Sequence, residues 1–262
     1  MGEVLLNMKK ILLRLSYLGT NYCGYQVQPN GISVQQRLNE AAKALFGFDC
    51  DIVGCSRTDS GVHAKDFCVT VAQKGCEGIE TSVPISKIPV AINNHLPRDI
   101  SVYSAEAVDK DFHPRYDVVS KEYLYCIWNS EIRDPFVENT SWQYPRKISD
   151  SSIALMNEAA KKLCGTKDFA AYMAAESSVK STVRTVFDAK VWREGDMIFF
   201  SVSADGFLYN MVRIFTGTLI GVAEGKITPE DIDAITESKH RRMAGITAPA
   251  QGLFLNKVTY RT

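Results

Sequence analysis

The sequence predicts an α+β fold of two ferredoxin-like domains, each a β-α-β-β-α-β unit with an antiparallel or mixed sheet, joined around a central cleft. Three observations lead to this prediction. The chain has 262 residues, enough for two small domains with real cores. Its apolar residues switch between the period of a strand and the period of a helix. The order of these periods occurs twice, so we expect domains at 1–110 and 111–262.

The first half opens with an apolar strand, KKILLRLSYLG, at residues 9–19. The next segment, SVQQRLNEAAKALFG, predicts a helix that Ser33 caps, with Gln36 completing a capping box and Gly47 ending it. Two strands follow, DCDIVGCSRT and DFCVTVAQ, and the second alternates with a period of two. A weaker helix, PISKIPVAINNHL, and a strand, DISVYSAEAV, complete the order.

The second half repeats that order. It begins with the strand SKEYLYCIWN and the helix DSSIALMNEAAKKLCG, which we expect to end at Gly165. The strands VRTVFDAKVWREG and DMIFFSVSADG come next, followed by a helix beginning near Phe207. A short helix with an acidic first turn, TPEDIDAITES, and a last strand, LFLNKVTYR, end the chain. Two copies of one unit would leave a cleft between them, where we expect the functional site.

Composition and charge are those of an ordinary globular protein. Lysine plus arginine equal aspartate plus glutamate at 30 each, and neither half carries a basic arm or an acidic tail. A nucleic-acid partner would therefore need a local concentration of positive charge on one face. The balance allows nucleic-acid binding without indicating it.

Cysteine and histidine give no sign of a disulfide framework or a metal centre. The seven cysteines are odd in number and form no C-x-x-C pair, which fits reduced thiols. The four histidines show no metal-ligand spacing, so we expect no metal. The first residues, MGEVLLNMKKILLRLSYLG, place lysines after apolar residues, unlike a secretory signal. We expect a cytoplasmic protein.

The segment GFLYNMVRIFTGTLIGVA, residues 206–223, carries one unusual charge. Apart from Tyr209, Arg213 is its only ionisable side chain, and apolar residues occupy more than one helix face. A guanidinium buried there would need a carboxylate partner. The alternative is an arginine that reaches solvent from a partly covered helix. A membrane span is not expected, because Asn210 and Arg213 lie in its middle.

Residues 54–64 read GCSRTDSGVHA and place a single acid, Asp59, in a loop. Asp-Ser-Gly is a common turn composition, so the loop could be turn chemistry alone. Arg57 and His63 flank the acid, however, and Tyr123 and Tyr125 share one face of the strand that begins the second half. We expect Asp59 to pair with Arg213. An acid, an arginine and aromatic planes are the parts of a site for a planar ring.

Five runs of the sequence, in their order along the chain, resemble the TruA-type family of tRNA pseudouridine synthases. They are GCSRTDSGVHA, KEYLYCIWN, DFAAYMAAE, FLYNMVRIFTGTL and APAQGLFL. The resemblance covers nearly the whole chain, and the R-T-D-x-G-V-H-A run is long and specific. It implies an isomerase, free of cofactor and metal, that converts uridine to pseudouridine at positions 38–40 in the anticodon stem-loop of tRNA. It also implies a homodimer whose two subunits share the tRNA surface.

The resemblance further implies a role for each candidate residue. Asp59 would be the catalytic carboxylate, with Arg213 as its ion-pair partner. Tyr123 would stack on the uracil, Arg57 would help displace the target nucleotide, and Leu253 would lie beside the base pocket. Three roles for the carboxylate stay open: attack on the pyrimidine, attack on the sugar, or removal of a sugar proton. The base that strips the C5 proton is also open, with Tyr123 as a candidate.

Two other classes compete with this interpretation. A non-catalytic RNA-binding ferredoxin-like protein would stack bases on exposed tyrosines and would tolerate loss of Asp59. An enzyme like a glycoside hydrolase, acting on nucleosides, would need a second carboxylate, and only Asp66 is near in sequence. The run KHRR at 239–242 fits either phosphate contacts or a solvated helix end.

Overall fold

The computed structural model describes residues 9–174 and 179–261 and has an α+β fold made of two compact units. Unit 1 comprises Met1–Val119 with Lys257–Thr262, and unit 2 comprises Ser120–Asn256. Both predicted orders of strands and helices are present. The part of the DFAAYMAAE run beyond residue 174 lies outside the described residues. The division into domains 1–110 and 111–262 stays a prediction.

The described part of unit 1 is a sheet with two α-helices. Its elements are β1 (Lys10–Tyr17), α1 (Val34–Phe46), β2 (Cys50–Gly54), β3 (His63–Gln73), α2 (Ile88–Asn93) and β4 (Ile100–Val108). The sheet order is β4-β1-β3-β2, and all three of these pairings are antiparallel. On β1, an inner strand, Leu13 lies opposite both Val69 and Ala105 and is fully buried. The apolar run of β1 therefore forms the middle of the core.

The caps of α1 follow the predicted chemistry in part. The Ser33 side chain accepts a hydrogen bond from the Gln36 N–H at 3.2 Å, and Gly47 adopts the left-handed conformation at the other end. The Gln36 amide donates to Glu40 at 2.9 Å, in the next turn of the helix. Half of the predicted capping box is thus present, and it is sufficient to begin the helix after Ser33.

The described part of unit 2 is a larger sheet with three α-helices. Its elements are β5 (Val118–Trp128), β6 (Trp142–Gln143), α3 (Asp150–Lys162), β7 (Gly165–Asp168), β8 (Val183–Glu194), β9 (Met197–Ala204), α4 (Met211–Ala223), α5 (Asp231–Ser238) and β10 (Leu253–Tyr260). The first two residues of β5 and the last four of β10 belong to unit 1. The sheet order is β10-β5-β9-β8-β7, with the short β6 parallel to β5. The strands β6 and β7 were not predicted.

The C-terminal residues of β10 complete unit 1. The Val258 N–H donates to the Asp66 carboxylate at 2.9 Å, and the Tyr260 ring packs edge-on against Phe112 at 5.0 Å. The Tyr260 hydroxyl donates to the carbonyl of Pro114 at 2.8 Å. Residues more than a hundred positions apart therefore form one core.

Helix α4 is buried almost all round, as its sequence predicts: 11 of its 13 residues are buried. It begins at Met211, not near Phe207, because Asn210 has a left-handed backbone (φ 60°) that no helix can contain. A side chain at Gly217 would lie 1.8 Å from the Ile246 carbonyl oxygen, so glycine lets the following loop cross the helix closely. No helix among the described residues has the length and apolar character to cross a bilayer.

Candidate active site

The loop at residues 55–62 joins β2 to β3 and carries Asp59 near its centre. The Val62 N–H donates to the Asp59 carbonyl at 3.1 Å, and Gly61 has φ +79°. The backbone is therefore a turn, as Asp-Ser-Gly favours. Asp59 is half-buried, between the exposed Arg57 and the buried Val62. The turn sets the direction in which this carboxylate leaves the backbone.

The segment from Tyr17 to Tyr25 holds this loop on both sides of Asp59. The Tyr17 and Thr58 hydroxyls share a hydrogen bond of 2.7 Å, and the Tyr25 N–H donates to the Thr58 carbonyl at 3.1 Å. On the other side the Ser60 hydroxyl donates to the Tyr22 carbonyl at 3.1 Å. Three hydrogen bonds from one neighbouring segment thus restrict the residues adjoining Asp59.

Two glycines allow that segment to lie so close. A side chain at Gly24, which has φ +112°, would come within 2.7 Å of the Thr58 carbonyl oxygen. One at Gly19 would come within 2.0 Å of the Val62 carbonyl oxygen. Real side chains do not tolerate such approaches to backbone. Neither glycine was singled out in the sequence, because nothing local distinguishes a glycine at a long-range contact from one in a turn.

His63 is a structural residue of the loop. It is fully buried, and its Nδ1 accepts a hydrogen bond from the Gly19 N–H at 2.9 Å. A nitrogen that accepts cannot carry a proton, so this bond assigns the imidazole proton to Nε2. The sequence placed His63 beside the acid; the structure shows its ring holding the backbone at Gly19, just after β1.

Tyr25 forms an apolar wall under the start of the loop. Its ring packs on Phe67 at 4.4 Å, and a side chain at Gly54 would lie 2.6 Å from it. Its hydroxyl is buried and has no hydrogen-bond partner within the described part of the chain. Burial raises the pKa of this phenol, so Tyr25 stays neutral.

Asp66, the second acid that a glycosidase-like enzyme would need, is engaged in the sheet of unit 1. Its carboxylate accepts from Arg14 Nη1 at 2.9 and 3.0 Å, from the Tyr103 hydroxyl at 2.6 Å and from the Val258 N–H at 2.9 Å. Burial and the bond to Asp66 raise the pKa of Tyr103. Four hydrogen bonds make Asp66 a link between strands, which argues against the paired-carboxylate alternative.

In unit 2, Tyr123 lies on β5 opposite Val202 of β9 and is 7% exposed. Its ring meets Phe207 edge to face, with 4.9 Å between ring centroids. Tyr125, on the same strand, is fully buried, and its hydroxyl donates to the Pro249 carbonyl at 2.6 Å. The interpretation of Tyr125 as an offered aromatic plane is wrong, because its ring is core that positions residues 249–252.

Arg213 joins the two loops next to α4. Its Nε donates to the Ala248 carbonyl and its Nη1 to the Asn210 amide oxygen, both at 2.7 Å, and the Ala248 N–H donates to the Arg213 carbonyl at 3.1 Å. The side chain is partly buried and not fully enclosed. Its pairing with Asp59 stays a prediction.

The remaining candidates divide into a surface residue, a core residue and a basic run. Arg57 is exposed, whereas Leu253, the first residue of β10, is 6% exposed. Within the run 239–242, Lys239 pairs with Asp168 at 2.9 Å and Arg241 donates to the Gly245 carbonyl at 2.8 Å. These two cations support local structure. Arg242 is exposed.

The chemistry available from these groups is that of a carboxylate, a guanidinium and an aromatic ring. All seven cysteines are free thiols, and burial raises the pKa of Cys50 to about 11. Within residues 9–174 and 179–261, no three or more His, Cys, Asp or Glu side chains are grouped as metal ligands would be. A carboxylate in a fixed turn can act as a nucleophile or accept a proton.

Comparisons with known proteins add an independent line of evidence. A family model described as tRNA pseudouridine synthase matches residues 15–117 and 159–261. A Clostridium acetobutylicum protein named tRNA pseudouridine synthase A is 42% identical over 253 residues, covering 97% of this chain and 100% of that protein. Proteins of the same name from Thermoanaerobacter sp. and Halalkalibacterium halodurans are 42% and 40% identical; they cover 97% and 94% of this chain and are themselves covered to 100% and 90%.

Among solved structures, the crystal structure of a Cbf5-Nop10-Gar1 complex aligns with a TM-score of 0.34 at 12% identity. The alignment covers 93% of this chain and 57% of that one. A score this low carries no argument about the fold. The segments that the family model matches contain Arg57, Asp59, Arg213 and Leu253, whereas Tyr123 lies between them.

Proposed function

Since the chain belongs to the tRNA pseudouridine synthase family and isomerises uridine in tRNA, we propose that it acts at positions 38–40 of the anticodon stem-loop with Asp59 as its catalytic carboxylate. The observation that carries the assignment of Asp59 is the loop at residues 55–62. Hydrogen bonds from the Tyr17–Tyr25 segment hold the residues on both sides of this one acid. Such support is what a catalytic side chain needs to keep its geometry.

The reaction exchanges one glycosidic bond for another. The N1–C1′ bond breaks, the freed uracil turns, C5 bonds to C1′, and the proton leaves C5 while N1 gains one. No other atom enters or leaves, so we propose that the enzyme uses no cofactor and no metal. Asp59 supplies an anionic oxygen, either as a nucleophile or as a proton acceptor.

The target base must leave its stack before it can react, at a cost of a few kcal/mol. We assign two side chains to this step. Arg57 is exposed beside Asp59 in the sequence of the loop, so it can occupy the space that the displaced nucleotide leaves. Tyr123 supplies an aromatic face on which the uracil stacks, and its contact with Phe207 fixes the plane of the ring.

Arg213 and Leu253 complete the proposed site. Arg213 is the ion-pair partner that keeps Asp59 ionised, and its bonds to Ala248 and Asn210 define the direction of its guanidinium. Leu253 lies beside the base, after a turn that Tyr125 positions. We also propose that the enzyme is a cytoplasmic homodimer, as its family resemblance implies.

The experiment that tests this function uses Asp59→Asn. Asparagine keeps the size and turn preference of aspartate but is neither an anionic nucleophile nor a base. Unmodified tRNA labelled with tritium at uridine C5 should release label with the parent enzyme, at positions 38–40. The variant should release none in a single turnover, although its dissociation constant for tRNA should stay within about fivefold of the parent value, since phosphate contacts dominate affinity.

Asp196→Asn is the matched control, because Asp196 is exposed in the turn between β8 and β9. It should release label at the parent rate. Substantial product from Asp59→Asn would reject Asp59 as the catalytic group and would favour turn chemistry alone. Binding of tRNA by the parent without any label release would favour the non-catalytic RNA-binding alternative.

A further inference from the structure

A groove in unit 1 lies outside the residues assigned above. It has a volume of about 340 Å³ and is lined by Phe112, Tyr116, Asp117, Val118 and Arg261. A volume near the lower end of the range for ligand sites suits one small planar group better than a helix or a duplex. None of the lining residues belongs to the loop at residues 55–62 or has a role in the proposed reaction.

The chain builds this groove from a short, well-bonded turn. The Phe112 N–H donates to the Asp109 carbonyl at 3.1 Å, and the Asp117 N–H donates to the His113 carbonyl at 3.1 Å. The His113 N–H donates to the Asp117 carboxylate at 2.8 Å. Phe112 rests edge-on against Tyr260 of β10. The groove is therefore preformed and needs little ordering when a ligand binds.

One wall of the groove is an exposed aromatic plane. Tyr116 is 75% exposed, and its ring stacks on the His113 imidazole, with 4.2 Å between centroids and 29° between planes. The imidazole covers one face of the phenol ring and fixes its orientation, which leaves the other face to solvent. Rings held in this way are the platforms on which proteins stack RNA bases.

The charges beside this plane complement a nucleotide. Arg115 and Arg261 are exposed, and neither forms a salt bridge with any residue in the described part of the chain. Asp117 uses one carboxylate oxygen on the His113 N–H, so its other oxygen can accept from a base amine. A guanidinium offers the paired donors that a phosphate accepts.

We propose that this groove binds one nucleotide of the tRNA other than the target uridine. Its base stacks on Tyr116, a base N–H donates to Asp117, and its phosphate accepts from Arg261. Arg115 contacts the backbone beside it. The inference rests on the proposed function, since it takes tRNA as the substrate, and it adds a second point at which the RNA is held.

The test measures dissociation constants for unmodified tRNA at one fixed salt concentration. Tyr116→Ala should weaken binding about 5- to 100-fold, the range found when a base loses its aromatic partner. Tyr116→Phe, which keeps the plane, should bind within about twofold of the parent. Arg261→Ala should make the plot of log K against log salt less steep by about one unit of slope, the amount expected for the loss of one phosphate contact. The thermal midpoint of each variant reports whether it is folded.

Two controls match these changes. Phe136→Ala removes an aromatic ring that is 93% exposed in unit 2, and Lys87→Ala removes an exposed cation of unit 1. Both should bind tRNA as the parent does. Parent-like binding by folded Tyr116→Ala, or an equal loss in Phe136→Ala, would overturn the groove assignment. Label release by the parent enzyme tests the proposed function separately, because it does not depend on Tyr116.

A second arm separates tRNA from free nucleotides. The chain has four histidines, so the imidazole proton resonances are few, and His113→Gln assigns the one that stacks on Tyr116. Addition of an anticodon stem-loop RNA should shift that resonance in the parent and not in Tyr116→Ala. A shift with adenosine or uridine monophosphate at equal concentration, but none with the RNA, would reject the tRNA assignment in favour of a free-nucleotide site.

Discussion

The Tyr17 hydroxyl lies 2.7 Å from the Thr58 hydroxyl and forms a hydrogen bond with it, and both side chains are buried. This bond ties the last residue of β1 to the residue before Asp59. Because β1 is an inner strand of its sheet, paired with β3 on one side and β4 on the other, its end is a rigid point of attachment. The hydrogen bond therefore fixes the backbone next to the candidate catalytic acid relative to the core of unit 1.

Replacing Tyr17 with phenylalanine should lower both the rate of reaction and the free energy of unfolding. The ring keeps its contact with Phe67, but the buried Thr58 hydroxyl loses its partner, which costs about 1–3 kcal/mol in unfolding free energy. We expect the rate constant for label release in a single turnover to fall about tenfold or more, since small misplacements of reacting groups are costly. Urea unfolding and single-turnover kinetics measure the two effects.

The double variant Tyr17→Phe with Thr58→Val is the control for this prediction. Removing both partners leaves no unsatisfied hydroxyl, so stability should recover most of the loss. The rate should stay low, because the link to β1 is still missing. A double variant with parental rate would mean that the bond stabilises the loop without positioning Asp59.

Arg213→Lys should fail to sustain turnover. The guanidinium binds Ala248 and Asn210 through two different nitrogens, and a lysine ammonium cannot span the same pair. We expect label release to fall about 100-fold or more in both Arg213→Lys and Arg213→Ala. Lys226→Ala, another cation of unit 2, should keep the parent rate. Near-parental turnover in Arg213→Lys would show that only positive charge matters at this position.

Asp66→Asn should destabilise unit 1 without a direct effect on chemistry. The change removes the negative charge opposite Arg14 and leaves Arg14, Tyr103 and the Val258 N–H with a weaker acceptor, so we expect a loss of about 2–4 kcal/mol in unfolding free energy. At a temperature where the variant is folded, label release should stay within about threefold of the parent. A folded variant without activity would instead give Asp66 a catalytic role.

Stability should fall at both acid and alkaline pH through one contact in unit 2. Bonds from Lys226 and from the Tyr144 hydroxyl, both at 2.6 Å, hold the pKa of Glu224 in the folded protein below its usual 4.5. The stabilisation from this carboxylate is therefore complete above pH 4.5 and is lost as the pH falls through the lowered pKa of the folded state. Burial and the same contact raise the pKa of Tyr144 from 10 to about 12, so its contribution is lost as pH rises through that range.

Glu224→Gln tests the acid side of this dependence. The slope of unfolding free energy against pH between about 3 and 5 should be shallower in the variant than in the parent. Glu237→Gln, at an exposed position on α5, should leave the slope unchanged. Equal slopes in the parent and Glu224→Gln would reject a contribution from this carboxylate.

The enzyme should be a homodimer whose affinity for tRNA falls steeply with salt. A chain with 30 basic and 30 acidic residues must collect cations on one side to hold an RNA, and each phosphate contact releases counterions. We expect log K to fall linearly with log salt, and sedimentation at micromolar protein to give about twice the chain mass. A fully active monomer at that concentration would contradict the dimer.

The sequence predicted elements well where local chemistry defines them. Ser33 and Gly47 mark the two ends of α1, and the apolar residues on more than one face of α4 predict its burial. Prediction from the sequence failed where the local side chains do not indicate the backbone conformation. Asn210 in the left-handed region delays α4, and Gly165, expected to end a helix, begins the edge strand β7 after the helix has stopped at Lys162.

The sequence indicated which residue types form the candidate site but not the surroundings of each side chain. Asp59 was identifiable because it is the single acid of a distinctive loop. The complete burial of Tyr125 could not be predicted, because Tyr123 and Tyr125 occupy the same face of β5 and the contact of Tyr125 with Pro249 joins residues far apart in the sequence. Gly19, Gly24 and Tyr17 act on the loop across about forty residues of sequence, a distance at which periodicity carries no information.

The division of β10 between the units has a consequence for biosynthesis. Unit 1 contains the first 119 of the 262 residues but takes its last strand residues from the segment after unit 2, where Val258 binds Asp66 and Tyr260 packs against Phe112. A ribosome makes that segment after unit 2, so the N-terminal unit stays incomplete until Lys257–Tyr260 have been synthesised. Unit 2, Ser120–Asn256, is continuous in the sequence and is complete as soon as its own part of β10 has been made. A chain cut before Lys257 would therefore lack part of the unit that was synthesised first.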